Sequence, residues 1–377
     1  MSPRKAVDPP DEQTRILNDI SRKINQPSVY MYWNGDMEFG ADVGSVQPFS
    51  QAKIELYFHN GRYKVSSMFT VLAVAALKCA PADCVGALVN YWSREEVFRS
   101  SEKKRVARVI PRYKDIQEVE GELRDLVNGG LLVRYLFKPK EPVIGRESVK
   151  EEIFFATGGA IRLARKQVLN FDVGLIDPMD NCGQPDDVFE QCLKAQALAP
   201  FLSSPQVKKV SFKHLKKFDQ MRCSVDAKIC FNKGGINGAF EDDVEVIFQG
   251  ITFAMNEMVR TAELKESYII KRIEVISKYI SFNEEHICTT YVIFCCEDGD
   301  GVMKLSRLIN EYAPQLFERA LFTTGNVLAK NCALSMPQNI KDCFVRFEHD
   351  AKGRYMPTGA VGYSFLESNG TGFGYAL

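Results

Sequence analysis

Three helical patterns in close succession, a basic connector ahead of the third, and a change after Val210 to strands alternating with helices predict a multidomain chain of α+β and α/β class. The first helix is expected over Met68–Lys78. Its Phe69, Val71, Leu72, Val74, Ala75, Ala76 and Leu77 are apolar nearly all round, as in a helix buried within a small domain, and Ser66 and Ser67 offer N-caps. The second opens at Pro81, a residue suited to a helix start, and repeats Cys84, Val85, Leu88, Tyr91 and Trp92 at helical spacing. The third begins with Asp115 as N-cap, sets Ile116, Val119, Leu123, Leu126 and Val127 on one face, and stops at Gly129-Gly130.

Strands at Leu131–Phe137 and Lys150–Ala156 then flank a wing at Lys138–Arg146, completing the order of a winged helix-turn-helix. A fold of this kind lies on double-stranded DNA, the expected partner. Seven basic residues (Arg99, Lys103, Lys104, Arg105, Arg108, Arg112 and Lys114) stand against one acid, Glu102, in the connector, a density able to track phosphates; the plain alternative is a solvated loop. Tyr113 and Gln117 near the start of the third helix, and Lys138, Lys140 and Arg146 in the wing, complete the candidate DNA-binding set. The outer side of the third helix carries Glu118, Glu120, Glu122 and Asp125, which phosphates repel, so only its first turn suits a groove.

With 377 residues the chain exceeds what one small core sustains, and two or three domains are expected. Its 48 basic and 48 acidic side chains balance, so any attraction to nucleic acid must be regional. The eleven cysteines are odd in number, follow no secretory signal and include Cys84, Cys192, Cys230, Cys295 and Cys343 inside apolar patterns. That usage predicts reduced thiols and a cytoplasmic protein. No cysteine pair has two-residue spacing and the four histidines are scattered, which argues against structural zinc. The longest uncharged apolar run, Val65–Leu77, is too short to span a bilayer, so no membrane partner is expected.

The expected layout is a disordered segment 1–14, a hairpin-rich lead-in 15–64, the winged helix 65–170, an α/β domain 186–349 and a flexible Gly-rich tail 350–377. Asn34-Gly35 and Asn60-Gly61, each between alternating apolar residues, predict hairpins in the lead-in. Asp186–Leu202 reads as a helix covering the second domain. Arg222–Phe231 and Val244–Met258 read as paired strands, and Ile269, Ile273, Ile276 and Ile280 as the stripe of a helix. Tyr291–Cys296, Val302–Tyr312 and Ala320–Thr323 then make a strand-helix-strand unit. Asp300 is read as a helix N-cap, and Cys295 and Cys296 as one thiol on each side of a strand.

Two acid-bearing strands followed by a helix and a strand-helix-strand unit is the layout of restriction-endonuclease-like folds. There carboxylates converge on Mg²⁺, and a lysine stands near the attacking water. Asp226 occupies the place of the first acid, and Glu257, near the end of the long strand, that of the second. Val259 stands where the lysine belongs and no proline precedes Asp226, so the site is incomplete, although Glu263-Leu264-Lys265 offers a literal Glu-x-Lys at a helix start.

On these passages the chain resembles the replication-relaxation proteins of plasmids and integrative elements. The resemblance rests on Leu131–Tyr135 with Phe154–Leu163, Ser224–Phe231, Glu257-Met-Val-Arg260, Ile269–Tyr279 and Phe322-Thr-Thr-Gly-Asn326. It implies a winged helix joined to a degenerate restriction-endonuclease-like domain. The function it implies is that of a non-catalytic, cofactor-free DNA-binding accessory protein of a mobile element, whose second domain supports self-association or contact with a replication or transfer enzyme. The alternatives are a Mg²⁺-dependent nuclease or nickase using Asp226 and Glu257, and a winged-helix transcriptional regulator.

Overall fold

A computed structural model of the chain describes residues 30–32, 37–40, 64–94, 110–129, 131–139, 151–156, 160–161, 163–164, 185–204, 207–212, 227–231, 243–253, 262–284, 290–296, 299–325, 328, 343–349 and 355–358. They form a mixed α+β protein. Helix α1, Val65–Ala76, begins ahead of the two serines. Lys64 is its N-cap residue and makes no side-chain cap bond, so Ser66 and Ser67 lie inside the first turn and are not caps. The evenly apolar sequence buries every residue from Met68 to Ala75. The turn that follows is tight: Lys78 adopts φ 65° and the Cys79 N–H donates to the Leu77 carbonyl at 2.8 Å. A two-residue strand, β3 (Ala80–Pro81), leads at once into α2, Ala82–Trp92.

Helix α3, Ile116–Asn128, starts and stops where its sequence says. The Asp115 carboxylate accepts from the Glu118 N–H at 2.9 Å, Gly129 closes the last turn, and Val119, Leu123, Leu126 and Val127 are buried. Strands β4 (Leu132–Pro139) and β5 (Glu151–Ala156) pair antiparallel, and β3 pairs antiparallel with the other edge of β5. The first lead-in hairpin is formed by β1 (Tyr30–Tyr32) and β2 (Met37–Gly40). It adds to the free edge of β4, giving the order β1-β2-β4-β5-β3. The hairpin expected around Asn60-Gly61 lies outside the described residues.

The second half comprises α4 (Pro185–Ser203), β6 (Val207–Phe212), β7 (Ala227–Phe231), β8 (Asp243–Ile251), α5 (Ala262–Glu284), β9 (Thr290–Cys296), α6 (Gly299–Tyr312), a 3₁₀ turn and β10 (Ala320–Thr324). The sheet order is β10-β9-β8-β7-β6, antiparallel through β6, β7 and β8 and parallel from β8 to β10. Parallel neighbours require crossovers, and α5 and α6 supply them. Ile269, Ile273, Ile276 and Ile280 of α5 join Val302, Leu305 and Ile309 of α6 over one face of the sheet, with Ile247, Val292, Phe294 and Phe322. Leu193, Leu198 and Phe201 of α4 belong with Val244, Val246, Phe248 and Ile293 on the other. Cys295 sits in the second of these layers and Cys296 in the first, one thiol on each side as expected.

Three expectations are corrected. The strand read as reaching Met258 ends at Ile251. Helix α6 begins at Gly299, so Asp300 lies in its first turn and is not its cap. Part of the expected tail is ordered, because Tyr355–Thr358 forms β12, antiparallel to β11 (Arg346–His349).

Helix α4 belongs to both halves, packing on α2 and on β8, and the buried residues around it form a single continuous core. The seam also carries polar ties. The Gln191 amide donates to the Leu77 carbonyl at 3.0 Å. The Tyr91 hydroxyl of α2 accepts from the Val210 N–H at 2.7 Å and donates to its carbonyl at 3.0 Å. Since β6 is an edge strand, this phenol satisfies backbone groups that would otherwise invite another strand. At the opposite edge Phe322 and Val345 exchange backbone bonds of 2.9 and 2.8 Å. Tyr91→Phe leaves the buried Val210 donor and acceptor unmatched and is expected to cost about 1–3 kcal/mol, read by urea denaturation.

Candidate nucleic-acid interface

The approach to α3 is held by Asn90 of α2. Its side-chain amide donates to the Tyr113 carbonyl at 3.0 Å and its side-chain oxygen accepts the Tyr113 N–H at 2.8 Å, so the backbone is clamped at one residue. The neighbours of that residue face outward. Arg112 is exposed, with Nε 3.4 Å from the Ser93 hydroxyl, and Lys114 is exposed with its backbone N–H on Glu118 at 2.9 Å. Gln117 is exposed one turn on.

Tyr113 goes the other way, which corrects its place in the DNA-binding set. Only 7% exposed, it donates to the Glu122 carboxylate at 2.6 Å and shares a 2.7 Å hydrogen bond with Thr70 of α1. Burial and the neighbouring Glu122 carboxylate push its phenol above the usual range, which keeps it protonated as a donor. The residue is a polar strut between helices, unable to reach a groove without unseating α3.

The outer face of α3 is acidic, but Glu122, expected there, turns inward instead, where its carboxylate accepts from Tyr113 and Thr70. Glu118 and Asp125 are exposed and Glu120 is half-buried. Its one arginine is committed within the fold: Arg124 lies 3.3 Å from Glu120 and 3.5 Å from Glu152 of β5, which also takes Arg134 of β4 at 3.0 Å. Lys138, expected in the wing, stands instead within β4, which runs on to Pro139 because it pairs with β2, where Lys138 lies opposite Glu38 in register. Arg99, Lys103, Lys104, Arg105, Arg108, Lys140 and Arg146 lie outside the described residues. The structure therefore brings Arg112, Lys114 and Gln117 together at one edge of α3. The clamp that positions them, Asn90, is marked in the sequence only as one of two polar residues, with Asp83, in a largely apolar helix.

In the second half, Asp226 and Glu257 lie outside the described residues, and Glu257 falls beyond the end of β8 at Ile251, so it is not on that strand. Glu263 and Lys265 stand in the first turn of α5. Near the start of β8 stands Glu245, its third residue, opposite Lys228 of β7 and beside Thr290 of β9 in register. Glu245 is buried, and the position two places after it is Ile247, fully buried under α5. Nothing in the residue pattern singles out Glu245, because the apolar run past Ile251 carries the expected strand on to Glu257. Among the described residues no group of three or more His, Cys, Asp or Glu side chains could hold a metal ion. No described helix is long and apolar enough to cross a membrane. No protein-family model, curated protein or solved structure matches the chain.

Proposed function

We propose that the chain is a DNA-binding accessory protein, with a winged helix-turn-helix in its first half and a non-catalytic, restriction-endonuclease-like domain in its second. The observation that carries this reading is the arrangement of the first half. Among the described residues, three helices are followed by a hairpin, and β5 lies between β3 and β4 in the sheet, the plan by which a helix-turn-helix acquires a wing. Duplex contact runs through phosphates: Arg112 and Lys114 lead into α3 and Gln117 stands in its first turn, the other basic residues of 99–108 precede them, and Lys138 of β4 is followed in the chain by Lys140 and Arg146. The acidic outer face of α3 disfavours deep insertion in the major groove, so binding is weakly selective for sequence.

The antiparallel run β6-β7-β8 followed by parallel β9 across α5 supports the endonuclease-like outline of the second half. Ile247 two places after Glu245 speaks against catalysis, because a hydrocarbon can neither help form hydroxide nor offset phosphate charge. The resemblance to replication-relaxation proteins supports a cytoplasmic, mobile-element setting with a replication or transfer enzyme as partner.

The test is fluorescence anisotropy of the full chain on a labelled mixed-sequence duplex across a salt series. Alanine at Lys103, Lys104, Arg105, Arg108 and Arg112 together is expected to weaken binding and to lower the salt slope by about one unit for each phosphate interaction removed. Unchanged affinity and slope overturn the assignment. Cleavage of supercoiled DNA in Mg²⁺ or Mn²⁺ that disappears in Asp226→Ala would replace it with the nuclease reading.

A further inference from the structure

The turn from α1 to β3 meets the first turns of α4 at two buried thiols. The Sγ atoms of Cys79 and Cys192 lie 3.9 Å apart although 113 residues separate them in the chain, and neither is in a disulfide. They are 2% and 5% exposed. Their backbones are held by bonds that do not involve sulfur. The Cys79 N–H is fixed on the Leu77 carbonyl beside a left-handed Lys78, and that same carbonyl accepts the side chain of Gln191, the residue before Cys192. A non-glycine residue at positive φ persists only where its surroundings over-determine it, so the turn is pinned against α4 at this point.

We propose that Cys79 and Cys192 are a redox modification site, at which oxidation joins the helical half covalently to α4. A disulfide needs an S–S separation of about 2.05 Å, so the sulfurs must close by roughly 2 Å, within reach of side-chain rotation and a small backbone shift. With peroxide as oxidant, one thiol gives up its proton and its sulfur attacks a peroxide oxygen, forming a sulfenic acid and releasing water. The second sulfur then attacks the sulfenic sulfur, the S–S bond forms, and the departing hydroxide takes the second thiol proton as another water. Two electrons pass from the sulfur pair to the peroxide, and two thiols with one peroxide yield one disulfide and two waters.

Such a bond spans the seam that α4 fills. It closes a loop long enough to restrict the unfolded chain strongly and it tethers the proposed DNA-contacting half to the second sheet. Burial of both sulfurs makes the reaction depend on transient opening of the turn, so the bond forms slowly and, once formed, is shielded from small thiols.

The experiment oxidises the full chain with a slight excess of hydrogen peroxide, alkylates the remaining thiols, digests without reduction and maps cross-linked peptides by mass spectrometry. The expected result is a dominant Cys79–Cys192 peptide pair, separated by dithiothreitol once digestion has released it from the fold, with a melting temperature raised by on the order of 5 °C in the oxidised protein. Cys79→Ser and Cys192→Ser should each abolish the pair and the shift. Recovery of both cysteines alkylated in protein that has stayed folded by circular dichroism, or cross-links dominated by other pairs, overturns the proposal. If a serine variant fails to fold, the peptide map of the unsubstituted chain decides by itself.

Discussion

Gly250→Ala is expected to destabilise the protein by about 3 kcal/mol or more, the upper end of what over-packing costs. A Cβ at this position of β8 would stand 1.8 Å from the carbonyl oxygen of Glu190, 2.6 Å from its carbonyl carbon and 2.8 Å from its Cα. All three are backbone atoms of α4, so no side chain can turn aside and the helix must lift from the sheet. Lifting it also stretches a tie that joins α4, α5 and β8. Arg272 of α5 donates to the Glu190 carboxylate at 2.7 Å, to the Gln249 side-chain oxygen at 3.2 Å and to the Gly250 carbonyl at 3.4 Å. Urea denaturation provides the measurement, with Gly121→Ala as its counterpart. That glycine lies exposed within α3 with no atom within 4 Å of where a Cβ would stand, so alanine there should stabilise by roughly 0.5–1 kcal/mol through helix propensity alone. Equal effects at the two glycines would mean that α4 does not press on β8.

Leu123→Ala should cost about 2–5 kcal/mol, the range for emptying a sealed leucine site. Leu123 is fully buried and belongs, with Val119 and Leu126, to the core shared with α1 and α2. The space it leaves cannot readily collapse, because α3 is fixed at one end by the Asp115 cap and along its length by the bonds of Tyr113 and Thr70 to Glu122. Leu123→Met, which conserves volume, should cost less than about 1.5 kcal/mol. Guanidinium denaturation monitored by tryptophan fluorescence compares the two, and a melting curve for Leu123→Ala that matches the unsubstituted chain would show that α3 buries a different face.

What could be read from the amino acids alone followed how local the causes were. Helix α3 was legible to the residue because cap, stripe and stop lie within fifteen consecutive positions. The alternating thiols of β9 were legible for the same reason. Ser66 and Ser67 misled because capping preference is a weak local signal: the helix extends back to an exposed Val65, and its buried stretch begins only at Met68. The lead-in hairpin was visible in its Asn-Gly turn, but not its attachment to β4. That pairing sets Met37 opposite Pro139, and nothing in either segment names the other. The end of β8 was hidden because its apolar sequence continues past Ile251 and hydrophobicity alone does not stop a strand. At the candidate interface the basic residues were legible as charge. The inward turn of Tyr113 was not, since it depends on partners in α1 and α3 that only folding brings together.

Helix α4 serves two interiors at once. One side of it completes the hydrophobic interior of the first half and the other side that of the second, so neither half keeps a closed interior when the helix leaves. The two halves are therefore bound into a single cooperative unit: loosening one exposes apolar surface of the other, and the free energies of their unfolding are not separable. A chain cut on either side of residues 185–203 would leave an open hydrophobic face on the fragment that loses the helix, and thereby trade folding for aggregation.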